Sequence, residues 1–148
     1  MTTDYKWRHK FRSHVPRWTW ARDAVMELLS RTSKHMSAKE IHETLLKLYP
    51  GIGLSTVYRT LDFLAQMNFV NRIDIGDGQS RYEFKSEDQS QHHHHLICTN
   101  CGKIIDYSGF FEKEMALIKR IEKNLSEKYS FKVQDHNIDF YGLCKDCQ

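Results

Sequence analysis

The sequence contains none of the features that define a membrane protein or the common classes of enzyme. Its 148 residues include no apolar run long enough to span a bilayer and no recognisable signal peptide. A nucleophile elbow, a Gly-rich phosphate loop and a His-Glu-x-x-His helix are also missing. We therefore expect a cytoplasmic protein that is not an enzyme, with no membrane partner and no small-molecule substrate.

The charge of the chain is small overall but unevenly distributed. The net charge is +3 and the pI is about 8.6. Up to Phe84 there are 13 Lys and Arg against nine Asp and Glu, whereas the remainder has nine basic and ten acidic residues. A chain of this length holds one ordinary domain or two small ones. The basic excess of the N-terminal half is compatible with a nucleic-acid partner.

The only four cysteines form two Cys-x-x-Cys pairs, Cys98 with Cys101 and Cys144 with Cys147. A closed tetrahedral zinc site needs four ligands, and each pair supplies two thiolates. Because the interval between the pairs is longer than in a compact zinc finger, we expect a structural zinc ion that ties the end of a domain to its beginning. Disulfides or a dithiol redox site are the alternatives, which the lack of a signal peptide disfavours.

Four consecutive histidines precede the first cysteine pair. If they continue the apolar strand that follows them, His93 and His95 point to one face, and His92 and His94 to the other. One tract then contributes to two metal sites. A solvated polar hinge is the alternative interpretation, and a purification tag is a weaker one because tags sit at termini.

The first half of the chain predicts three helices. Thr19 is the expected N-cap of the first helix, and Ser37 with Glu40 forms a capping box for the second, which we expect to end at residues 49–51. Ser55 is the expected N-cap of the third helix, which runs to about Met67.

A β-hairpin follows these helices. Residues 68–75 and 80–84 read as strands that flank Gly76-Asp77-Gly78-Gln79. Three helices and a hairpin make a winged helix-turn-helix domain over residues 1–84, with the third helix shaped to enter a major groove. A helical bundle with an incidental hairpin is the alternative.

The second half predicts a small α/β domain over residues 92–148, after a polar hinge at 85–91. We expect strands at 96–97 and 103–107, a helix from about Phe111 to Lys128, and a final strand region from Phe131 to Tyr141. Such a unit is too short to bury its sheet alone, so a homodimer is expected. The fold class is α/β, of the α+β kind.

The third helix carries the residues that we expect to contact DNA. Tyr58 and Arg59 lie on its outward face, where arginine can read guanine and a tyrosine ring can pack on a thymine methyl group. Ser55 and Thr56, near the helix N-terminus, are placed to contact phosphates. The expected partner is double-stranded operator DNA.

Several motifs resemble those of one family over nearly the whole chain. The pattern His-His-x-His-Leu-Ile-Cys-x-x-Cys-Gly-Lys-x-x-Asp, which starts at His92, is similar to the central motif of the ferric uptake regulator (Fur) family of metal-dependent transcriptional repressors. The segments 55–61, 80–84 and 141–144 also resemble family segments, in family order. The resemblance implies a metal-responsive repressor, and it implies that Arg17 reaches an A·T-rich minor groove.

The resemblance also implies a regulatory metal site formed by five residues, which are His35, Glu83, His93, His95 and Asp106. The first two belong to the DNA-binding half and the others to the second domain. A metal held by this set would clamp the two domains across the hinge. The clamp would select the orientation in which the two recognition helices of a dimer match successive major grooves.

A second site is implied on the opposite face of the histidine strand, with His92 and His94 joined by Glu112 and His136. A surface histidine pair without metal is the alternative there. The regulatory metal is expected to be Fe2+, with Zn2+ or Mn2+ as alternatives, because imidazoles and carboxylates suit all of them. Branches of the family that sense peroxide carry Asp where Glu83 stands, which favours a sensor of metal level.

Two other classes of function remain open at this point. One is a small metalloenzyme with an open histidine site and Glu83 as general base, and the other is a zinc-stapled protein-interaction module. Within the family, zinc-, manganese- or peroxide-responsive branches are the alternatives. DNA binding that depends on added metal would separate the repressor from both other classes.

Overall fold

The computed structural model describes residues 17–85, 93–108 and 111–148. The chain forms two compact units that divide between Lys85 and Ser86. The mixed helices and sheets confirm the predicted α+β fold class. In the described part of the chain no helix is both long and apolar enough to cross a membrane. His92 and residues 86–91 of the expected hinge lie outside the described residues.

Helices α1 (Trp20–Ser30) and α2 (Ala38–Leu46) begin where the sequence predicts. Thr19 precedes α1 in an extended conformation, and its carbonyl accepts hydrogen bonds from the backbone of the first turn. The capping box of α2 is present, because Ser37 Oγ accepts from the Glu40 N–H (3.2 Å) and Glu40 Oε2 accepts from the Ser37 N–H (2.7 Å). Helix α2 ends before residue 49, earlier than expected, in a turn that closes on the carbonyl of Leu45.

Helix α3 (Leu54–Gln66) starts earlier than predicted. Ser55 is not its N-cap, because the carbonyl of Gly53 already accepts the N–H groups of Thr56 and Val57. Gly53 is therefore the N-cap, and Ser55 lies inside the first turn. The apolar face of α3 packs with α1 and α2 in a core of buried side chains that includes Val25, Met26, Leu29, Ile41, Val57, Leu61 and Leu64.

A three-stranded antiparallel sheet completes the first unit. Strands β2 (Val70–Asp74) and β3 (Ser80–Phe84) form the predicted hairpin, whose turn uses Gly76 and Gly78 at positive φ. A third strand, β1 (Met36–Ser37), pairs with β3 in the order β1-β3-β2. No sequence pattern predicts β1. The unit is a winged helix-turn-helix, as predicted.

The second unit is a three-stranded sheet with one long helix. Strand β4 (His94–Cys98) lies between β5 (Ile104–Tyr107), which is antiparallel to it, and β6 (Asp139–Gly142), which is parallel. Helix α4 (Phe111–Tyr129) connects β5 to the segment before β6. The predicted final strand from Phe131 to Tyr141 is wrong in extent, because only its end pairs with β4.

Candidate metal centres and nucleic-acid interface

The four cysteines meet at the end of the second sheet. Cys98 ends β4, the parallel partner β6 leads into Cys144, and Gly102 at φ +73° turns the first knuckle. All four Sγ atoms lie within 4.8 Å of one another, and those of Cys101 and Cys144 are 3.8 Å apart. Zinc–sulfur bonds of about 2.3 Å in a tetrahedron place the sulfurs about 3.8 Å apart. The cluster therefore fits a zinc ion, whereas no pair of these cysteines is disulfide-bonded.

Backbone N–H groups tune the protonation of these thiols. The backbone N–H groups of Cys101 and Cys144 lower the pKa of Cys98 to about 6. The Cys144 nitrogen lies 3.3 Å from the Cys98 sulfur. The N–H of Asp146 lowers the pKa of Cys144, but sulfur contacts with Cys147 and burial outweigh it and raise that pKa to about 11. One thiolate thus forms readily, and a bound cation would compensate for the charge of the others.

Strand pairing in the first unit places His35 beside Glu83. Met36 of β1 is opposite Tyr82 of β3, so the residue before β1 falls opposite Glu83. His35 Nε2 lies 3.0 Å from Glu83 Oε2, and the two side chains are only 10% and 9% exposed. Asn71 Nδ2 donates to Glu83 Oε1 at 2.9 Å, which fixes the carboxylate. This imidazole and carboxylate pair could supply two ligands to a divalent metal.

The second unit presents a separate cluster on β4, on the residue before it and on β5. His95 lies opposite Asp106, whose Oδ1 atom is 4.0 Å from His95 Nε2 and 3.9 Å from His93 Nε2. The two imidazole rings meet edge to face, with centroids 5.1 Å apart. The structure thus brings together all three predicted residues of this unit. It adds Asp139, which is not among the predicted residues and whose Oδ1 lies 3.0 Å from His95 Nδ1.

The predicted additional site needs a correction. Glu114, rather than Glu112, lies against the buried His94, with 3.4 Å between Oε1 and Nε2. Residues 112 and 114 are about 200° apart around a helix, so Glu112 faces away and is exposed. The rings of His94 and His136 lie 6.2 Å apart, and His92 lies outside the described residues.

The electrostatics around His94 favour a neutral ring. Burial lowers its pKa, with a further lowering from His136 and the neighbouring histidines, against an opposing effect of Glu114. A neutral imidazole is the form that binds metal. A fourth side chain, Glu122, accepts from His136 Nδ1 at 2.9 Å when the ring carries a proton there.

Helix α3 exposes three of the four DNA-contacting residues predicted on it, and the fourth, Thr56, is half-buried. Tyr58, Arg59 and Ser55 are exposed on its outer side, and the Arg59 guanidinium reaches back to the Ser55 carbonyl at 3.4 Å. Arg17 is also exposed, and its carbonyl accepts from Arg22. The Arg22 guanidinium stacks 3.5 Å over the Phe63 ring, which assigns it a packing role.

A winged helix-turn-helix combined with a four-thiol cluster and histidine-carboxylate clusters defines a metal-dependent DNA-binding regulator. The profile of the Ferric uptake regulator family matches residues 14–141, and the chain belongs to this family. The chain is 37% identical over 123 residues to the ferric uptake regulation protein of Bacillus subtilis. The matched region covers 83% of this chain and 78% of that protein. It is 31% identical over 137 residues to the peroxide-responsive repressor PerR of Staphylococcus saprophyticus, with coverage of 93% and 86%.

Solved structures lead to the same conclusion. The ferric uptake regulator of Helicobacter pylori, described as having three functional metal-binding sites, has a TM-score of 0.66 and 31% identity, covering 86% of this chain and 81% of that one. The Campylobacter jejuni peroxide stress regulator has a TM-score of 0.66 and 29% identity, with coverage of 86% and 88%. This chain is thus a metal-responsive transcriptional regulator, and the metalloenzyme and interaction-module alternatives are not favoured.

Proposed function

We propose that the chain is a repressor in which a divalent metal joins the DNA-binding unit to the second unit. His35 and Glu83 would provide the ligands of one unit, and His93, His95 and Asp106 those of the other. The observation that carries the proposal is that strand pairing preorganises a histidine-carboxylate set in each unit. The domains would be residues 1–84 and 92–148, with the hinge at 85–91 between them.

The mechanism follows from dividing the ligands between two units. When bound, the metal supplies the positive charge that lets the imidazoles and carboxylates of both units be held together. The hydrogen bond from Asn71 fixes the Glu83 carboxylate on strand β3, so metal bound by Glu83 would also hold the wing. Closure then selects one orientation of α3 for DNA. About 5.5 kcal/mol of differential binding would convert a mostly open population into a mostly closed one.

Three metal sites of two kinds are proposed, one with thiolate ligands and two with nitrogen and oxygen ligands. Cys98, Cys101, Cys144 and Cys147 would hold structural Zn2+, which their sulfur spacing supports. The regulatory site, with nitrogen and oxygen donors, would take Fe2+, with Zn2+ or Mn2+ as alternatives. The additional site would use His94, His136 and Glu114 in place of Glu112, together with His92 outside the described residues. The three sites of the H. pylori regulator support this assignment.

Operator DNA is the proposed ligand of the first unit. Arg59 and Tyr58 would enter the major groove with α3, while Ser55 and Thr56 would lie near phosphates and Arg17 in the minor groove. The exposure of Arg59, Tyr58, Ser55 and Arg17 on or beside α3 supports these roles, and Thr56 is half-buried. The cytoplasmic location stays a prediction.

A homodimer is proposed because the second sheet exposes an apolar ladder. Leu96 on β4 pairs with Ile105 on β5 and Phe140 on β6, so the three side chains share one face. They are 41%, 43% and 49% exposed. A second copy of the sheet would cover this face, and two-fold symmetry would set two α3 helices on successive grooves.

The decisive experiment compares His93→Ala with His94→Ala. DNA duplexes are selected from a random pool with metal-loaded protein, and affinity is then titrated with Fe2+, Mn2+ and Zn2+ at fixed pH. His93→Ala should keep the thiolate zinc and dimer but lose the metal-induced gain in affinity, whereas His94→Ala should have the smaller effect. In the wild type, DNA should tighten metal binding by the same factor that metal tightens DNA binding. A full metal response in His93→Ala with a lost response in His94→Ala would reverse the assignment of the two faces.

A further inference from the structure

Asp139 occupies the position next to the most buried histidine of the proposed regulatory set. The parallel pairing of β4 with β6 sets His95 opposite Asp139, and Asp139 Oδ1 lies 3.0 Å from His95 Nδ1. The His95 side chain is 7% exposed, so few other orientations of its ring are available. Asp139 comes from β6, a strand that carries none of the five predicted ligands.

The chemistry of this contact determines which ring nitrogen is available to metal. An ionised carboxylate only accepts hydrogen bonds, so the contact requires His95 Nδ1 to carry the proton. In the neutral ring the lone pair then resides on Nε2, the atom 4.0 Å from Asp106 Oδ1. A free imidazole has two tautomers, and only the one with Nδ1–H presents Nε2 to a metal on the Asp106 side.

We propose that Asp139 is a positioning residue of the regulatory site, which holds His95 in the Nδ1–H tautomer and directs Nε2 toward the metal. The inference rests on the proposed function, because it assumes that His95 is a regulatory ligand. The adjacent negative charge also makes the imidazole a stronger donor. Asp139 itself is not a ligand in this arrangement, since its carboxylate is engaged on the far side of the ring.

The test measures metal affinity and tautomer separately. Asp139→Ala should weaken Mn2+ binding by about 10–100-fold, the usual effect of removing a carboxylate behind a ligating histidine. Asp139→Asn should lose less, because the amide oxygen still accepts from Nδ1–H. Mn2+ is the probe because it prefers oxygen and nitrogen donors over thiolates. Its binding is followed by the loss of the electron paramagnetic resonance signal of free Mn2+. Glu127→Gln, on the exposed side of α4, is the control for loss of one negative charge in the same unit.

The second readout is the nitrogen-15 NMR spectrum of protein labelled at its histidines. The sample retains zinc in the cysteine cluster but has no regulatory metal. The His95 signals are assigned by their absence in His95→Ala. In the wild type they should show the proton on Nδ1, and Asp139→Ala should abolish this preference for the Nδ1–H tautomer. His93→Ala identifies the Mn2+ binding that belongs to the regulatory site. If His93→Ala leaves all Mn2+ binding intact, the proposed site is wrong. If it removes binding while Asp139→Ala changes neither affinity nor tautomer, only the role of Asp139 is refuted.

Discussion

Replacing Cys101 by Ser should unfold the second unit while the first stays folded. Three thiolates cannot close the tetrahedral site, so the zinc would be lost or held weakly. Cys101 is exposed, unlike the buried Cys98, and serine is close to it in size. The substitution therefore creates no cavity, and any loss of stability reports the missing metal.

The buried side chains of the two units indicate the size of the effect. In the described part of the second unit, the buried apolar residues are Ile97, Ile118 and Cys98. Two buried isoleucines contribute about 3–6 kcal/mol, at about 1.5–3 kcal/mol each. Structural zinc contributes about 10–16 kcal/mol in zinc-finger peptides. Bound zinc would therefore dominate the stability of this unit, whereas the first unit has its own core.

Hydrogen exchange read by mass spectrometry tests this, with the zinc content measured on the same samples. Amides of β4, β5 and β6 should lose protection in Cys101→Ser, and those of α1 and α3 should keep it. Lys145→Ser is the matched control, because it changes an exposed residue of the second knuckle that is not a ligand. The comparison is repeated at several protein concentrations, since a dimer would add stability. Unchanged protection in β4–β6 without zinc would refute the reasoning.

Three further predictions concern DNA reading, the helix cap and the dimer. Arg59→Ala should cost about 1–3 kcal/mol in operator binding and relax the sequence preference. Arg17→Ala should reduce the slope of the logarithm of the binding constant against the logarithm of salt concentration by about one. Unchanged DNA binding in both variants would contradict the reading of DNA by α3. Ser37→Ala should cost about 1 kcal/mol in denaturant unfolding. The hydrogen bond from the Ser37 N–H lowers the pKa of Glu40. The stability that this bond contributes is present above the ordinary pKa of 4.5 and is lost as pH falls through the lowered pKa; wild type and Glu40→Gln with the same dependence of stability on pH would contradict it. Leu96→Glu should shift the dimer toward monomer in sedimentation, and a dimer of wild-type strength would contradict the proposed face.

Local patterns in the sequence predicted the elements whose causes are local. The capping box of α2 works through residues three apart, and the apolar period of α3 identifies its buried face. The thiol cluster was also predictable, because two Cys-x-x-Cys pairs admit few arrangements. The N-cap of α3 was missed because a glycine caps with its backbone alone and leaves no side-chain signal.

Long-range pairing accounts for the features that the sequence did not reveal. Strand β1 has two residues, too few to show an alternating pattern, yet its pairing with β3 is what aligns His35 with Glu83. Glu114 rather than Glu112 lies against His94, because Glu114 shares a helix face with the buried Ile118, four residues later. Asp139 could not be assigned because parallel pairing of β6 with β4 joins positions 44 residues apart.

Strand β6 links the two proposed kinds of metal site. Its pairing with β4 places Asp139 beside His95, and a few residues later it delivers Cys144 to the thiol cluster. At the end of β6 the Thr99 N–H donates to the Gly142 carbonyl at 2.9 Å, and just beyond it the Cys144 N–H lies 3.3 Å from the Cys98 sulfur. Zinc in the cysteine cluster would hold the register that positions Asp139. Structural zinc would therefore act on the proposed regulatory site without sharing a ligand with it, and it would have to bind before the histidines reach their full affinity.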